Sequence, residues 1–432
     1  MKVAVIGSGI SGLAVAHALR RDAAVTLFEA GSYFGGHTHT VDVTLPGAGG
    51  LVTHGVDTGF LVFNERTYPR LIALLAELGV ATTASEMSFS VQAAAADGRR
   101  IEWSGSSLSS LFAQRGNALS PRFLRMVADL IRFNALATRI AQAGDEAVLR
   151  HTLGGFLDRH GFSREFRDWY LLPMLGCIWS CPTDQMLRFP VATMIRFCHN
   201  HGLLQLTRRP QWHTVTGGAR NYVDRIVAGV ADKRLNTPVR KVRRDAAGAT
   251  VLAADGVHRF DRVVIATHPD QALAMLADAD AGEQRVLGAI RYAANEAVLH
   301  TDASVLPQSR RAWAAWNYER AEDSRRECAS VCLHYLLNRL QPLPFSQPVI
   351  VSLNPVKPIP SEHVLGRYDY EHPVFDMTAI RAQQDVPSLQ GRRNTWFCGA
   401  WTGYGFHEDG LKSGLSAARQ ICAEQVPLAV AA

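Results

Sequence analysis

The chain has 432 residues, 47% hydrophobic and 19% charged, a globular composition that argues against long disorder and suffices for two or three domains. Its formal net charge is +6, but the arginines are spread along the chain, so no nucleic-acid partner is expected. No run of 18 apolar residues exists, so no membrane-spanning helix is expected, and seven cysteines with no leader segment ahead of them point to reduced thiols in a cytoplasmic protein.

Residues 2–6 are predicted to form a buried parallel strand by their length and β-branched content. Gly7-x-Gly9-x-x-Gly12, with Ile10 and Ser11 between, makes a tight turn, and residues 13–20 continue with helical spacing. Residues 25–29 form a second strand, completing a βαβ unit. In such a unit Gly7 permits the turn, Gly9 lets the backbone approach a pyrophosphate, and Gly12 lets helix and strand pack closely. The pyrophosphate sits on the helix N-terminus, where free N–H groups favour negative charge. Glu29 ends the second strand, placed to accept a ribose hydroxyl and to repel a 2′-phosphate. Gly35-Gly36-His37 supplies a second glycine pair that folds the chain back over the diphosphate, which favours FAD over NAD.

From about residue 70 to 200 helical periodicity dominates, over 68–78, 121–143, 153–160 and 163–174. Residues 121–143 carry apolar residues interspersed with Arg122, Arg125, Arg132 and Arg139; a basic amphipathic helix of this kind packs on a core or lies on an anionic membrane. Residues 171–180 and 199–204 are candidates to line an apolar tunnel, with His199 and His201 read as satisfied structural histidines. Strands return near 239–242, 250–253 and 262–266, and residues 285–375 mix short strands with Pro-rich connections. Residues 395–398 read as a strand, followed by a glycine-rich loop and a helix over 411–422 whose N-terminus faces the edge of a flavin. Cys177/Cys181 and Cys328/Cys332 have C-x-x-x-C spacing, unlike the usual C-x-x-C of metal and redox sites, and His37 and His39 are not read as a pair of ligands, so no metal is expected. The nucleotide-type segments lie at both ends of the chain. The fold class is therefore α/β, a Rossmann-type FAD-binding domain (1–75, 205–270 and 385–432) with a discontinuous α+β substrate domain (76–204 and 271–384).

Residues 3–37, 215–220, 262–269 and 391–418 together resemble the FAD-dependent amine oxidase and phytoene desaturase superfamily. Within it, Gly-Ser-Gly-Ile-Ser-Gly-Leu at 7–13 and Gly-Phe-His-Glu-Asp-Gly at 405–410 are most similar to bacterial NAD/FAD-binding oxidoreductases. The resemblance implies that Thr58, Gly59 and Phe60 pass the flavin ring, that Val239 binds adenine through its backbone, and that Thr267 ends the strand beside the diphosphate. It also places Gly399, Phe406, Glu408 and Asp409 at the flavin, with His407 and Glu408 as catalytic candidates and His407 as a proton acceptor or a substrate-orienting group. No second G-x-G-x-x-G exists, so electrons are expected to pass to oxygen or an external acceptor, or back to the same substrate.

Two positions depart from amine oxidases. Residues 291–302 lack the lysine that many of them hold near the flavin, and Phe406 stands where an aromatic-cage tyrosine is expected. The resemblance then implies desaturation, dehydrogenation or isomerisation of a long apolar substrate such as a fatty acyl chain, by hydride transfer to flavin N5. A flavin amine oxidase and a non-catalytic FAD-binding partner of a lipid-modifying methyltransferase are the alternatives. Peripheral contact with the inner face of a membrane is a further expectation, carried by the helix over 121–143.

Overall fold

A computed structural model describes residues 1–94, 98–143, 151–180, 183–205, 209–320 and 331–424. The α/β fold is organised around two large sheets. The first has five parallel strands in the order Asp232–Arg234, Ala24–Phe28, Lys2–Ile6, Arg262–Ile265 and Thr395–Phe397. Lys2–Ile6 sits at its centre. Val3 and Val5 point into one core with helix Ile10–Leu19, and Ala4 and Ile6 into another on the opposite face. Burial on both faces is why this strand reads as a continuous apolar run.

The second sheet has seven strands in the order Val364–Val374, Arg291–His300, Ile350–Leu353, Cys332–Leu336, Trp316–Glu319, Phe89–Ala94 and Arg100–Ser104. All its pairings are antiparallel except that of Trp316–Glu319 with Phe89–Ala94. Two of its strands run ten and eleven residues, longer than the short strands expected over 285–375. Ser352, His334, Asn317, Ser90 and Ser104 lie directly opposite one another across five strands, and all are fully buried. His334 Nδ1 meets Ser352 Oγ at 2.6 Å, Asn317 Nδ2 donates to the His334 carbonyl at 3.0 Å, and Ser90 Oγ donates to Asn317 Oδ1 at 2.7 Å. Their chain neighbours Val351, Leu353, Tyr335, Trp316, Phe89 and Trp103 point to the other face, which lines a cavity.

Helix Pro121–Ala143 forms over the predicted span. The helix predicted over 163–174 is instead divided into Arg164–Phe166, a π-helical turn Arg167–Leu171, and Leu172–Trp179. Pro173 accounts for the break, because it offers no N–H to the Trp169 carbonyl and its ring crowds that oxygen. The C-terminal helix runs His407–Ala423, so it starts four residues before the predicted Leu411. Residues 272–290 and 379–389 supply side chains to the core on the parallel sheet, whereas residues 43–62 supply side chains to the large core of the second sheet.

Candidate functional site

A cavity of about 1230 Å³ begins at the carboxyl ends of the parallel strands and continues along the second sheet. The crevice outside those ends is where doubly wound sheets bind ligands. Gly7, Gly9, Ile10, Ser11, Glu29, Gly35, Gly36, His37, Thr58, Gly59, Phe60, Val239, Thr267, Gly399, Phe406 and His407 all line it. The glycines of the first turn differ in what they permit. Gly7 has φ +97°, and a Cβ there would meet the Ala266 carbonyl oxygen at 2.8 Å. A Cβ on Gly12 would collide with the Gly7 carbonyl oxygen, so this glycine lies behind the cavity and packs the turn. A Cβ on Gly9 would meet nothing within 4 Å, because it would project into the cavity itself. Glu29 is preset within this cradle: Ser8 N–H donates to its Oε2 at 3.0 Å and Gly31 N–H to its Oε1 at 2.7 Å.

The last motif divides in the structure. Phe406 and His407 face the cavity, while Glu408 and Asp409 do not line it. Glu408 accepts the N–H groups of Arg70 at 3.1 Å and Leu71 at 3.0 Å, capping helix Pro69–Glu77. Asp409 accepts the N–H groups of Tyr404 at 3.0 Å and Phe406 at 3.1 Å, which orders the loop, and burial pushes its carboxyl up to about 6. Neither carboxylate is free for chemistry in the cavity. The catalytic placement expected of Glu408 is thus corrected, because the helix begins at His407 and carries both acids into its first turn.

His407 stacks on Phe60 with ring centroids 3.7 Å apart, and its Nε2 lies 2.9 Å from both Thr38 Oγ1 and Tyr222 OH. Burial drives its pKa down to about 3. The ring is therefore neutral, and its Nε2 is held between two hydroxyl groups.

Of the segments expected to line a tunnel, 171–180 and 199–204, Met174, Cys177, Ile178, Trp179, Ser180, His201 and Leu203 line the cavity, whereas His268 and His372 carry no expectation from sequence. His201 lines the cavity, and its Nδ1 donates to the Phe197 carbonyl at 3.0 Å, leaving Nε2 with its lone pair available. His37, His268 and His372 form a patch, His268 bonding Glu371 at 3.1 Å and His372 bonding Asn295 at 3.0 Å. Burial lowers the pKa of all three, that of His372 to about 4. No spacing rule links these residues, since they arrive from separate elements. Cys177 lines the cavity as a buried thiol; Cys181 and Cys328 fall outside the described residues.

Residues 10–309 match the family of flavin containing amine oxidoreductases. The chain belongs to that family. The family is one of flavin-containing oxidoreductases. The sequence of this chain is 27% identical over 287 residues to AofH of Mycobacterium tuberculosis, a protein named provisionally as a flavin-containing monoamine oxidase. The match covers 63% of this chain and 58% of AofH, so the chain spans less than two thirds of that relative's length. The fold is similar to cyclohexylamine oxidase from Brevibacterium oxydans (TM-score 0.70, 17% identity, 98% of this chain and 99% of that one). It is also similar to a CLA-producing fatty acid isomerase from P. acnes (TM-score 0.67, 14% identity, 98% of both chains).

The cradle fits FAD on its own chemistry. Two helix N-termini, of Ile10–Leu19 and His407–Ala423, open onto the cavity. His37 Nε2 is buried and has no hydrogen-bond partner, as befits a group awaiting a polar ligand. The open space at Gly9 admits a diphosphate against the backbone.

Proposed function

We propose that this protein is an FAD-dependent oxidoreductase that desaturates, dehydrogenates or isomerises a long apolar chain such as a fatty acyl group. One observation carries the reading: the cavity continues past Phe406 as an apolar tunnel. Its walls include Phe89, Trp103, Leu111, Val127, Leu130, Met174, Ile178, Tyr335 and Leu353. The volume of about 1230 Å³ exceeds the range of roughly 300–1,000 Å³ usual for a single small ligand, leaving room for a substrate beside the dinucleotide. No lysine lines the cavity, and Arg209 is the only cation among its described lining residues. Glu29 and Glu371 are the only carboxylates there, Glu371 beside the His37, His268 and His372 patch.

FAD, when bound, would supply the two-electron acceptor, restored by an external acceptor or oxygen in an oxidation and by return of the hydride to the substrate in an isomerisation. This chain's residues then have separate duties. The tunnel excludes water and aligns the chain. His201 Nε2 accepts a proton from the carbon next to the one that loses hydride. His407, with Thr38 and Tyr222, holds Phe60 in the wall and is a positioning residue. We assign Gly7, Gly9, Ile10, Ser11, Glu29, Gly35, Gly36, His37, Thr58, Gly59, Phe60, Val239, Thr267, Gly399 and Phe406 to the cofactor. The packing of residues 272–290 and 379–384 supports moving both from the substrate domain into the cofactor-binding domain.

A second reading, amine oxidation, is favoured by the aromatic group Trp179, Phe197, Tyr404 and Phe406, in which Phe197 and Phe406 stack at 5.0 Å. Such a group suits an amine. Anaerobic titration decides between the two. Long-chain acyl lipids in detergent micelles are expected to bleach the flavin absorbance or to emerge with a moved double bond. Rapid bleaching by a primary or secondary amine, with peroxide made in air, overturns the acyl reading.

A further inference from the structure

The apolar tunnel reaches the surface between residues 105–111 and helix Pro121–Ala143, since Leu108 and Ile131 both line the cavity and are exposed. The rim is unusual. Leu108 is 77% exposed, Leu119 86%, Leu124 45% and Ile131 54%. On the helix, Leu124, Ala128, Ile131 and Ala135 are all exposed at i, i+4, i+7 and i+11, so they form one outward apolar stripe. Val127 and Leu130 flank that stripe on the cavity side. Arg125, Arg132 and Arg139 flank it on the other side, seven residues apart and exposed. The only acid in residues 105–143 is Asp129, which is buried and receives Arg132 and the Ser163 N–H. Arg115 and Arg125 have no ion pair among the described residues. The helix has 23 residues, about 34 Å at 1.5 Å per residue, yet no helix of the described residues is long and apolar enough to cross a membrane.

We propose that this rim is a docking surface for an anionic lipid membrane. The helix lies flat on the bilayer, Leu108, Leu119, Leu124 and Ile131 enter it, and Arg125 and Arg139 reach the phosphate groups, while Arg132 stays with Asp129 and the Phe162 ring. An apolar stripe flanked by arginines, with no exposed carboxylate within residues 105–143, is complementary to that surface. The docking stands on the surface itself; only the use of the tunnel mouth as an entry for an acyl chain rests on the proposed substrate.

The test uses the full-length holoprotein in vesicle co-sedimentation, with phosphatidylcholine vesicles and with vesicles that also contain phosphatidylglycerol. Binding is expected to the second kind, to weaken as NaCl rises, and to be weak on the first. Arg125→Glu is expected to reduce binding at least about five-fold. Leu124→Ser is expected to reduce it further, with the flavin spectrum and melting temperature unchanged. Absence of binding to the anionic vesicles overturns the proposal, as does wild-type binding by a variant that combines Leu124→Ser with Arg125→Glu. A dimer in gel filtration that Leu124→Ser dissociates, without vesicle binding, also overturns it. Vesicle binding with no flavin bleaching by any lipid supports the docking and removes the acyl substrate. Bleaching in micelles without vesicle binding does the reverse.

Discussion

Gly9 and His201 carry the sharpest expectations at the level of single residues. The space over Gly9 belongs to the cavity and not to the protein core, so Gly9→Val is expected to fold normally. The added side chain then occupies the place of the diphosphate, and the purified variant is expected to be colourless with a melting temperature near that of the wild-type apoprotein. A yellow variant with intact FAD contradicts this placement. His201 and His407 are expected to separate cleanly. His201→Ala is expected to keep the flavin spectrum and slow anaerobic flavin reduction on the order of 10²-fold, the low end for loss of an acid–base group. His407→Ala removes the ring that stacks on Phe60 and bonds Tyr222, so it is expected to perturb the flavin spectrum and lower FAD affinity as well. If His407→Ala slows reduction while leaving spectrum and affinity unchanged, the proton acceptor is His407 and not His201. The sequence reading favoured His407 because it sits in a dense motif. His199 and His201 read as structural from sequence, because only the fold shows that His201 lines the cavity with one nitrogen bonded to the Phe197 carbonyl.

Helices Ile10–Leu19 and His407–Ala423 cross where both open onto the cofactor cradle. Their contact depends on Gly414, where a Cβ would collide with the Ser11 carbonyl oxygen, and on Gly410, where it would meet Ile10 Cγ2 at 2.7 Å. Gly414→Val is therefore expected to push the helices apart, costing about 1–3 kcal/mol of stability and weakening FAD binding together. Thermal melting with and without added FAD checks this; an unchanged Tm in both states contradicts it. The first helix was legible because a glycine turn, a strand and an acid at fixed spacing announce it. The second was misjudged at its start, since His-Glu-Asp-Gly looks like loop composition. Its two acids are N-terminal caps whose partners, Arg70, Leu71, Tyr404 and Phe406, are brought together only by the fold. The break at Pro173 was foreseeable from proline chemistry, but its π-helical form follows from packing that periodicity does not encode.

For the whole molecule, buried histidines dominate the dependence of stability on pH. Burial lowers His201, His300 and His372 to about 4 and His407 to about 3, from an ordinary 6.5. Above pH 6.5 neither the folded nor the unfolded chain binds these protons. Below it the unfolded chain binds them first, so stability is lost as pH falls from 6.5 toward 4. Asp57, raised to about 7, and Asp409, raised to about 6, act in the opposite sense, because the folded chain holds their protons where the unfolded chain does not. His334, where Cys332 and Glu319 outweigh burial and hold the ring at about 10, acts with the two carboxyls; the four lowered histidines outweigh these three groups, and the melting temperature is expected to be lower at pH 5 than at pH 7.5. A flat or rising profile toward pH 5 contradicts this balance. The broad architecture was legible because its βαβ entrance and its C-terminal return are local patterns. The order of strands in the second sheet was not, because residues 89–104 join residues 316–319 across more than two hundred positions of chain.

That long separation gives the row from Ser352 through His334, Asn317 and Ser90 to Ser104 a consequence for biosynthesis. The hairpin of Phe89–Ala94 and Arg100–Ser104 is made early, and its parallel partner leaves the ribosome only much later. Until then, Ser90 and Ser104 remain wetted by solvent, which gives one side of an unfinished edge a reason not to stick to other nascent chains. When Trp316–Glu319 arrives, Asn317 offers Ser90 its acceptor only in the native alignment. A shift by one residue would turn Trp316 or Tyr318 toward the serines and Asn317 toward the tunnel, leaving its amide dry and unpaired. The two serines therefore protect the waiting edge, and Asn317 proofreads its closure.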